Sequence, residues 1–313
     1  MQKGCVYRST GSWYEVKLES GEFIQSRIKG IFRNSSIKTT NPIAVGDIVE
    51  LEIEDSGQGM IKSIMARENY IIRRSVNLSK EAHIIASNLD LALLIVTISN
   101  PITSAGFIDR FTVTAQAYKI PLIIVFNKVD VYDKKDMLRL QEYEDSYHAA
   151  GYSTLRMSAT KGIGIAELNE IISGKTVLLS GNSGAGKSTL INQLIPDLLL
   201  KTAELSTAHQ KGKHTTTFAE MYDQNTTTRI IDTPGIKGFG LVDFEKEELA
   251  LYFPEMLQLL GTCKFHNCKH INEPGCSVVA QVKSDDFSKS RYQSYLSMYK
   301  EDNTSNYRQN TYQ

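Results

Sequence analysis

Residues Gly181-Asn182-Ser183-Gly184-Ala185-Gly186-Lys187-Ser188 fit the pattern G-x-x-x-x-G-K-[ST]. That pattern demands a strand, a tight loop and a helix in succession. The flanks comply: Thr176 to Ser180 is a strand-like run, and a helical pattern begins at Ser188-Thr189-Leu190. The glycines let backbone N–H groups curl around a phosphate, and the helix N-terminus adds a favourable dipole. Lys187 is placed to reach the β- and γ-phosphates, and the Ser188 hydroxyl to bind Mg²⁺. The bland alternative, a Gly-rich turn with a chance Lys-Ser, fits this setting poorly. Order constrains the chain further. Asn127-Lys128-Val129-Asp130, which has the form of a base-recognition element, comes before this loop, and Asp232-Thr233-Pro234-Gly235 comes after it.

The element at 127–130 selects the base. It follows the apolar run Leu122 to Phe126, at the end of a strand where open α/β sheets bind ligands. Asp130 can accept from guanine N1–H and the 2-amino group, donors that adenine lacks there. A desolvated carboxylate left unpaired discriminates strongly. Asn127 is expected at the base edge, with the Lys128 stem along the ring. Ser158-Ala159-Thr160-Lys161 has the spacing of a second guanine-contacting loop, with a backbone N–H facing the base oxygen. Asp232 is expected to hold Mg²⁺ through water, and the Gly235 N–H to meet the γ-phosphate. Gly212-Lys213-His214-Thr215-Thr216-Thr217 occupies the slot of a first switch. One of its threonines, Thr215 or Thr216 among them, would close over Mg²⁺; the sequence does not say which. Many GTPases carry Gln after D-x-x-G to position the attacking water. Here Ile236 stands in that place, so His214 is the nearest candidate for that task, a solvent-facing loop histidine being the alternative.

Around these motifs the chain divides into three. Residues 1–70 carry short β-branched and aromatic runs separated by glycines, the pattern of a five-stranded OB-type barrel. Arg27, Lys29, Arg33 and Lys38 supply basic side chains there, for RNA or as a solvated face. Residues 71–240 alternate near-continuous apolar strands with helical patterns at 108–118, 137–150, 164–172 and 188–194, which predicts a parallel-rich doubly wound sheet. Residues 241–313 read as one or two helices from Asp243 to Leu260, a cysteine cluster, a last helix from Asp286 to Tyr299 and a disordered polar tail. Three of the four cysteines lie between 263 and 276. Such clustering without a secretory signal favours metal over disulfide. Cys263, Cys268, His270 and Cys276 offer three thiolates and an imidazole, a structural Zn²⁺ set, with His266 as a competing ligand. Net charge is zero, so any nucleic-acid surface must be local. The longest apolar run, near Leu91 to Ile98, is far short of the ~20 residues of a membrane span. A soluble, cytoplasmic protein without membrane contact is expected.

Taken together, these residues resemble the circularly permuted GTPases of small-ribosomal-subunit biogenesis, the RsgA or YjeQ family. The likeness covers nearly the whole chain. It runs from Val45-Gly46-Asp47 through the three nucleotide motifs and Phe239-Gly240 to Glu273-Pro274-Gly275-Cys276. It implies an N-terminal OB-fold, a permuted GTPase domain and a C-terminal zinc domain. It also implies a monomeric, ribosome-stimulated GTPase that binds GTP and GDP, acts late in small-subunit maturation and contacts rRNA. A permuted GTPase for the large subunit and an RNA-binding scaffold with structural nucleotide are the rival readings. The order of motifs has a mechanical corollary. The switch from Asp232 to Gly240 leads directly into the C-terminal module, so nucleotide state is expected to bias that module.

Overall fold

The computed structural model describes residues 1–28, 42–74, 82–198, 219–233 and 245–301. Lys29, Arg33, Lys38, the switch at 212–217, residues 234–244 and the polar tail lie outside them.

The first five strands are β1 Gln2–Ser9, β2 Tyr14–Leu18, β3 Phe23–Ile28, β4 Ile48–Ile53 and β5 Gly59–Ile64; β2, β3 and β4 alternate buried and more exposed residues, whereas β1 buries the run Gly4 to Tyr7. They pair in the order β1-β2-β3-β5-β4 and close by β4 returning to β1, with β3 and β5 parallel. Val6, Tyr14, Val16, Ile24, Leu51 and Ile61 fill the barrel. Asp47 sits fully buried at its exit. Its carboxylate accepts from Ala44 N–H at 2.8 Å, Ser87 Oγ at 2.6 Å and Arg67 Nε at 2.7 Å. This knot fastens the barrel to a hairpin of β6 Tyr70–Arg74 and β7 Ala82–Ser87. The sequence reading had no place for that hairpin, which stands apart from the main sheet as a two-stranded unit.

The apolar runs then become β8 Leu91–Val96, β9 Leu122–Phe126, β10 Ser153–Arg156 and β11 Thr176–Gly181, followed by β12 Glu220–Asp223 and β13 Arg229–Asp232. Their order is β10-β9-β8-β11-β13-β12; all pairs are parallel except β12 with β13. Four helices cover the two faces: α1 Ala105–Ala117, α2 Lys134–Ala149, α3 Ile165–Ile172 and α4 Lys187–Leu194. Leu94, Val96 and Ile124 pack under Phe107, Phe111 and Leu140. On the other face Leu93, Ile95 and Val125 pack under Leu168, Leu190 and Ile191. From β8 the chain walks outward to β10, then restarts at β11 and walks the other way. The crevice between β8 and β11 is therefore a topological switch point, where such sheets take ligands. At its far side the sheet continues into the barrel: Arg8 of β1 bridges Glu220 of β12.

The C-terminal module holds a 3-10 turn at Lys246–Tyr252, α5 Pro254–Leu257, α6 Ser277–Lys283 and α7 Lys289–Lys300. Pro254 explains why Lys246 to Leu257 is not one continuous helix. It holds Phe253 in extended backbone, at φ −104° and ψ 103°, and the α region is disfavoured before proline. Phe253, Met256, Val278, Phe287 and Tyr295 form this module's core, and Val113 of α1 belongs to the same cluster. Among the described residues no helix is long and apolar enough to cross a membrane.

Candidate active site and metal centre

Parallel pairing brings the carboxyl ends of β9, β10, β11 and β13 to one edge of the sheet, and with them the nucleotide motifs. The phosphate loop turns there because of two glycines. Gly181 has φ +147°, and a Cβ on it would lie 2.2 Å from the Ile95 carbonyl oxygen. Gly186 has φ +100°, and a Cβ on it would lie 2.3 Å from Asn127 Nδ2. Gly186 caps α4, which begins at Lys187 and carries Ser188 and Thr189 in its first turn, both half-buried. Asn182 is half-buried, Ser183 and Gly184 are exposed, and Ala185 is buried beneath them. Lys187 is 8% exposed, and its ammonium donates to the carbonyls of Gly181 at 2.8 Å and Asn182 at 3.1 Å. Burial lowers its pKa, and the charge of buried Asp232 opposes that shift. Thr233 Oγ donates to the Leu179 carbonyl at 2.8 Å, fastening the start of the Asp232 element to β11.

Asn127 has a different task from the one its motif suggested. It is 1% exposed, and its carboxamide is engaged at both ends within the protein. Nδ2 donates to the Ala185 carbonyl at 2.8 Å, and Oδ1 accepts from Ala159 N–H at 3.0 Å. One side chain thus ties the phosphate loop to the second base loop, using the N–H of Ala159. Lys128 takes left-handed backbone, φ 69°, and its ammonium donates to the Asn100 carbonyl at 2.6 Å. Burial lowers its pKa, with Asp130 opposing. Val129 N–H donates to the Met157 carbonyl at 3.1 Å, while Asp130 stays exposed at the crevice. Ser158 is fully buried; its Oγ accepts from Lys161 N–H at 3.2 Å and shortens the loop beside Thr160. His214, Thr215, Thr216, Gly235 and Ile236 lie outside the described residues.

A second cluster stands in the C-terminal module. The ligand atoms of Cys263, Cys268, His270 and Cys276 all lie within 4.8 Å of one another. Measured pairs are 3.6 Å from Cys263 Sγ to His270 Nδ1, 3.4 Å from His270 Nδ1 to Cys276 Sγ and 4.0 Å between the sulfurs of Cys263 and Cys276. A tetrahedral ion with sulfur at about 2.3 Å and nitrogen at about 2.0 Å separates its donors by roughly 3.5–3.8 Å, so the set fits one ion. His266 is exposed and outside the cluster. Burial lowers the pKa of His270, with Glu273 opposing, which favours the neutral imidazole a metal requires. Glu273 organises the loop by accepting from the N–H groups of Lys269, Ile271 and Asn272.

The profile of the RsgA GTPase family matches residues 64–242, and that of the RsgA N-terminal domain matches residues 3–61. The chain is 50% identical to a small ribosomal subunit biogenesis GTPase RsgA of Christiangramia forsetii, over 99% of both chains. It is 49% identical to one from Bacteroides fragilis, over 98% of this chain and 99% of that one. The chain belongs to the RsgA GTPase family. Among solved structures, YjeQ from Thermotoga maritima superposes with a TM-score of 0.74 at 32% identity, covering 95% of this chain and 97% of that one. YloQ, a circularly permuted GTPase, superposes with 0.70 at 27%, covering 96% and 94%. In this member of the family, sequence reasoning missed several residues that hold the motifs and modules in place. Tyr132, Asn100, Asp109 and Arg291 carry no spacing signal, because each has a partner remote in sequence: Ile98, Lys128, Arg291 and Asp109 respectively. Arg291 is the extreme case: it meets Asp109 at 2.7 Å across 182 positions.

Proposed function

We propose that guanine nucleotide lies across the carboxyl edge of β9, β10, β11 and β13, and that its hydrolysis serves maturation of the small ribosomal subunit. The chain is a GTPase by family. Its relatives bear the name small ribosomal subunit biogenesis GTPase, and we carry that role to this chain. Asp130 reads N1–H and the 2-amino group, with Ser158 and Ala159 closing the base pocket. Residues 181–189 cradle the phosphates. Lys187, freed from the Gly181 and Asn182 carbonyls, gives its charge to the β- and γ-phosphates as negative charge builds in the transition state. His214 orients the attacking water, and Gly235 N–H meets the γ-phosphate. Ser188, Asp232 and Thr216 would hold Mg²⁺, which when bound neutralises phosphate charge. The Cys263, Cys268, His270 and Cys276 set would hold Zn²⁺ as a closed structural site. We read the chain as a cytoplasmic monomer of three modules, 1–70, 71–240 and 241–313, the outer two facing rRNA.

What supports this reading most is Asn127. A buried carboxamide joins two loops 58 and 32 positions away, an arrangement that serves a ligand spanning both. The test is the rate of GTP hydrolysis by the purified chain alone, with small subunits and with large subunits. The reading expects slow turnover, accelerated by small subunits only. Acceleration by large subunits would move the role to that particle, and no turnover in any mixture would leave a scaffold.

A further inference from the structure

The turn that carries Asp130 is short and exposed, and something must hold it still. Lys128 enters it in left-handed backbone, Val129–Val131 makes one 3-10 turn, and Tyr132 closes it. The Tyr132 phenol then folds back over the turn it ends. Its hydroxyl donates to the Asn127 carbonyl at 2.6 Å and accepts from the Ile98 N–H at 2.8 Å. One oxygen thereby staples the two ends of the base turn together and fixes both to the end of β8. Lys128 reaches the same β8 loop through the Asn100 carbonyl, and Ser99 Oγ donates to Asp136 Oδ2 at 2.7 Å. The Tyr132 ring packs against the apolar cluster that contains Ile98 and Phe126, so the phenol has little freedom to leave. Burial pushes its pKa up to about 12, so the donating proton stays in place at any working pH.

We propose that Tyr132 is a positioning residue for guanine selection: its hydroxyl holds Asp130 at the depth where the carboxylate meets the 2-amino group as well as N1–H. This rests on the assignment of Asp130 to the base. The reasoning is geometric. Two acceptor contacts from one carboxylate require a fixed height and tilt, whereas one contact tolerates drift. Loosening the turn should therefore cost the 2-amino contact first.

Hypoxanthine lacks that amino group, so the readout is the ratio of IDP to GDP dissociation constants for the full-length chain. Tyr132→Phe removes one oxygen and keeps the ring. The expected result is GDP binding weakened about tenfold, IDP binding weakened much less, and the ratio contracted several-fold. A merely structural phenol would lower the melting temperature and leave the ratio as in wild type; that outcome overturns the proposal. Asp130→Ala serves as the control. If it keeps the wild-type ratio, the base assignment itself falls and the proposal with it. If it loses the ratio while Tyr132→Phe keeps it, only the role of Tyr132 falls.

Discussion

The nucleotide domain carries a module on each flank, and the two are held by different physics. On the barrel side, a single backbone bridge extends the sheet from β12 into β1. Beneath that bridge Cys5 and Tyr7 join the apolar cluster of the nucleotide sheet, but the ion pairs across it are partly exposed: Arg8 pairs with Glu220 at 48% and 22% exposure, and Lys17 with Asp223 at 27% and 30%. Tyr7 Oη adds one bond to Asp223 Oδ1 at 2.6 Å. On the other side Arg291 of α7 is 1% exposed and Asp109 of α1 is fully buried. The guanidinium donates to Asp109 Oδ1 at 2.7 Å and to both oxygens of Glu255, and lies near the rings of Phe253, Tyr147 and Tyr152. Burial works against its charge, but Asp109 and then Glu255 outweigh that and raise its pKa above the ordinary value. Exposed pairs stabilise little, whereas a buried charge is costly once its partner is gone. The C-terminal seam should therefore depend on its buried ion pair far more than the barrel seam depends on its exposed ones.

That contrast is breakable at three points, in falling order of effect. Arg291→Ala leaves Asp109 buried without its cation and should cost roughly 3–5 kcal/mol in denaturant unfolding. Removing the buried carboxylate as well, with Asp109→Asn beside Arg291→Met, should recover much of that loss, leaving only the more exposed Glu255 without its cation. A cost under about 1 kcal/mol for Arg291→Ala would make the two seams equivalent. Tyr7→Phe removes one hydrogen bond to a carboxylate that Lys17 still pairs, and should cost about 1 kcal/mol. Glu220→Gln should cost about 0.5 kcal/mol or less, and raising salt should erase the difference from wild type. A larger, salt-insensitive loss there would mean that the Arg8–Glu220 pair is as firm as its C-terminal counterpart.

The seams also show what a sequence displays and what it hides. Strands β8, β9 and β11 were legible because a strand buried on both faces must be apolar throughout, as Leu91–Val96 is. The phosphate loop and the metal set were legible because their chemistry imposes spacing. Asp109 and Arg110 were not. They sit on α1 but meet partners remote in sequence: Asp109 meets Arg291 of α7 and Tyr147 of α2, and Arg110 meets Glu301 just past α7. The hairpin β6–β7 stayed hidden because what ties it down is remote in sequence: Ser87 of β7 donates to Asp47 at the barrel exit, 40 positions away. At the site, the motif residues were legible as a set, but the division of labour within them was not. Asn127 is a tie between loops, a role visible only when Ala185 and Ala159 are seen beside it.

The C-terminal seam is connected to the 127–132 turn through the end of β8. The β8 end feeds both the base turn, through Ile98 and Asn100, and α1, through Ser104, whose side chain caps that helix. The C-terminal module is thus docked on the helix that follows the base-side loop, in addition to succeeding the Asp232 switch in sequence. All of this depends on guanine being read by Asp130. The direct measurement is nucleotide preference of Asp130→Asn, because xanthine presents an oxygen where guanine has its 2-amino group, and an amide can donate to it. Hydrolysis by this variant, with small subunits present, is predicted to pass from GTP to XTP while wild type uses GTP alone. Undiminished GTP turnover with no gain for XTP would contradict the account.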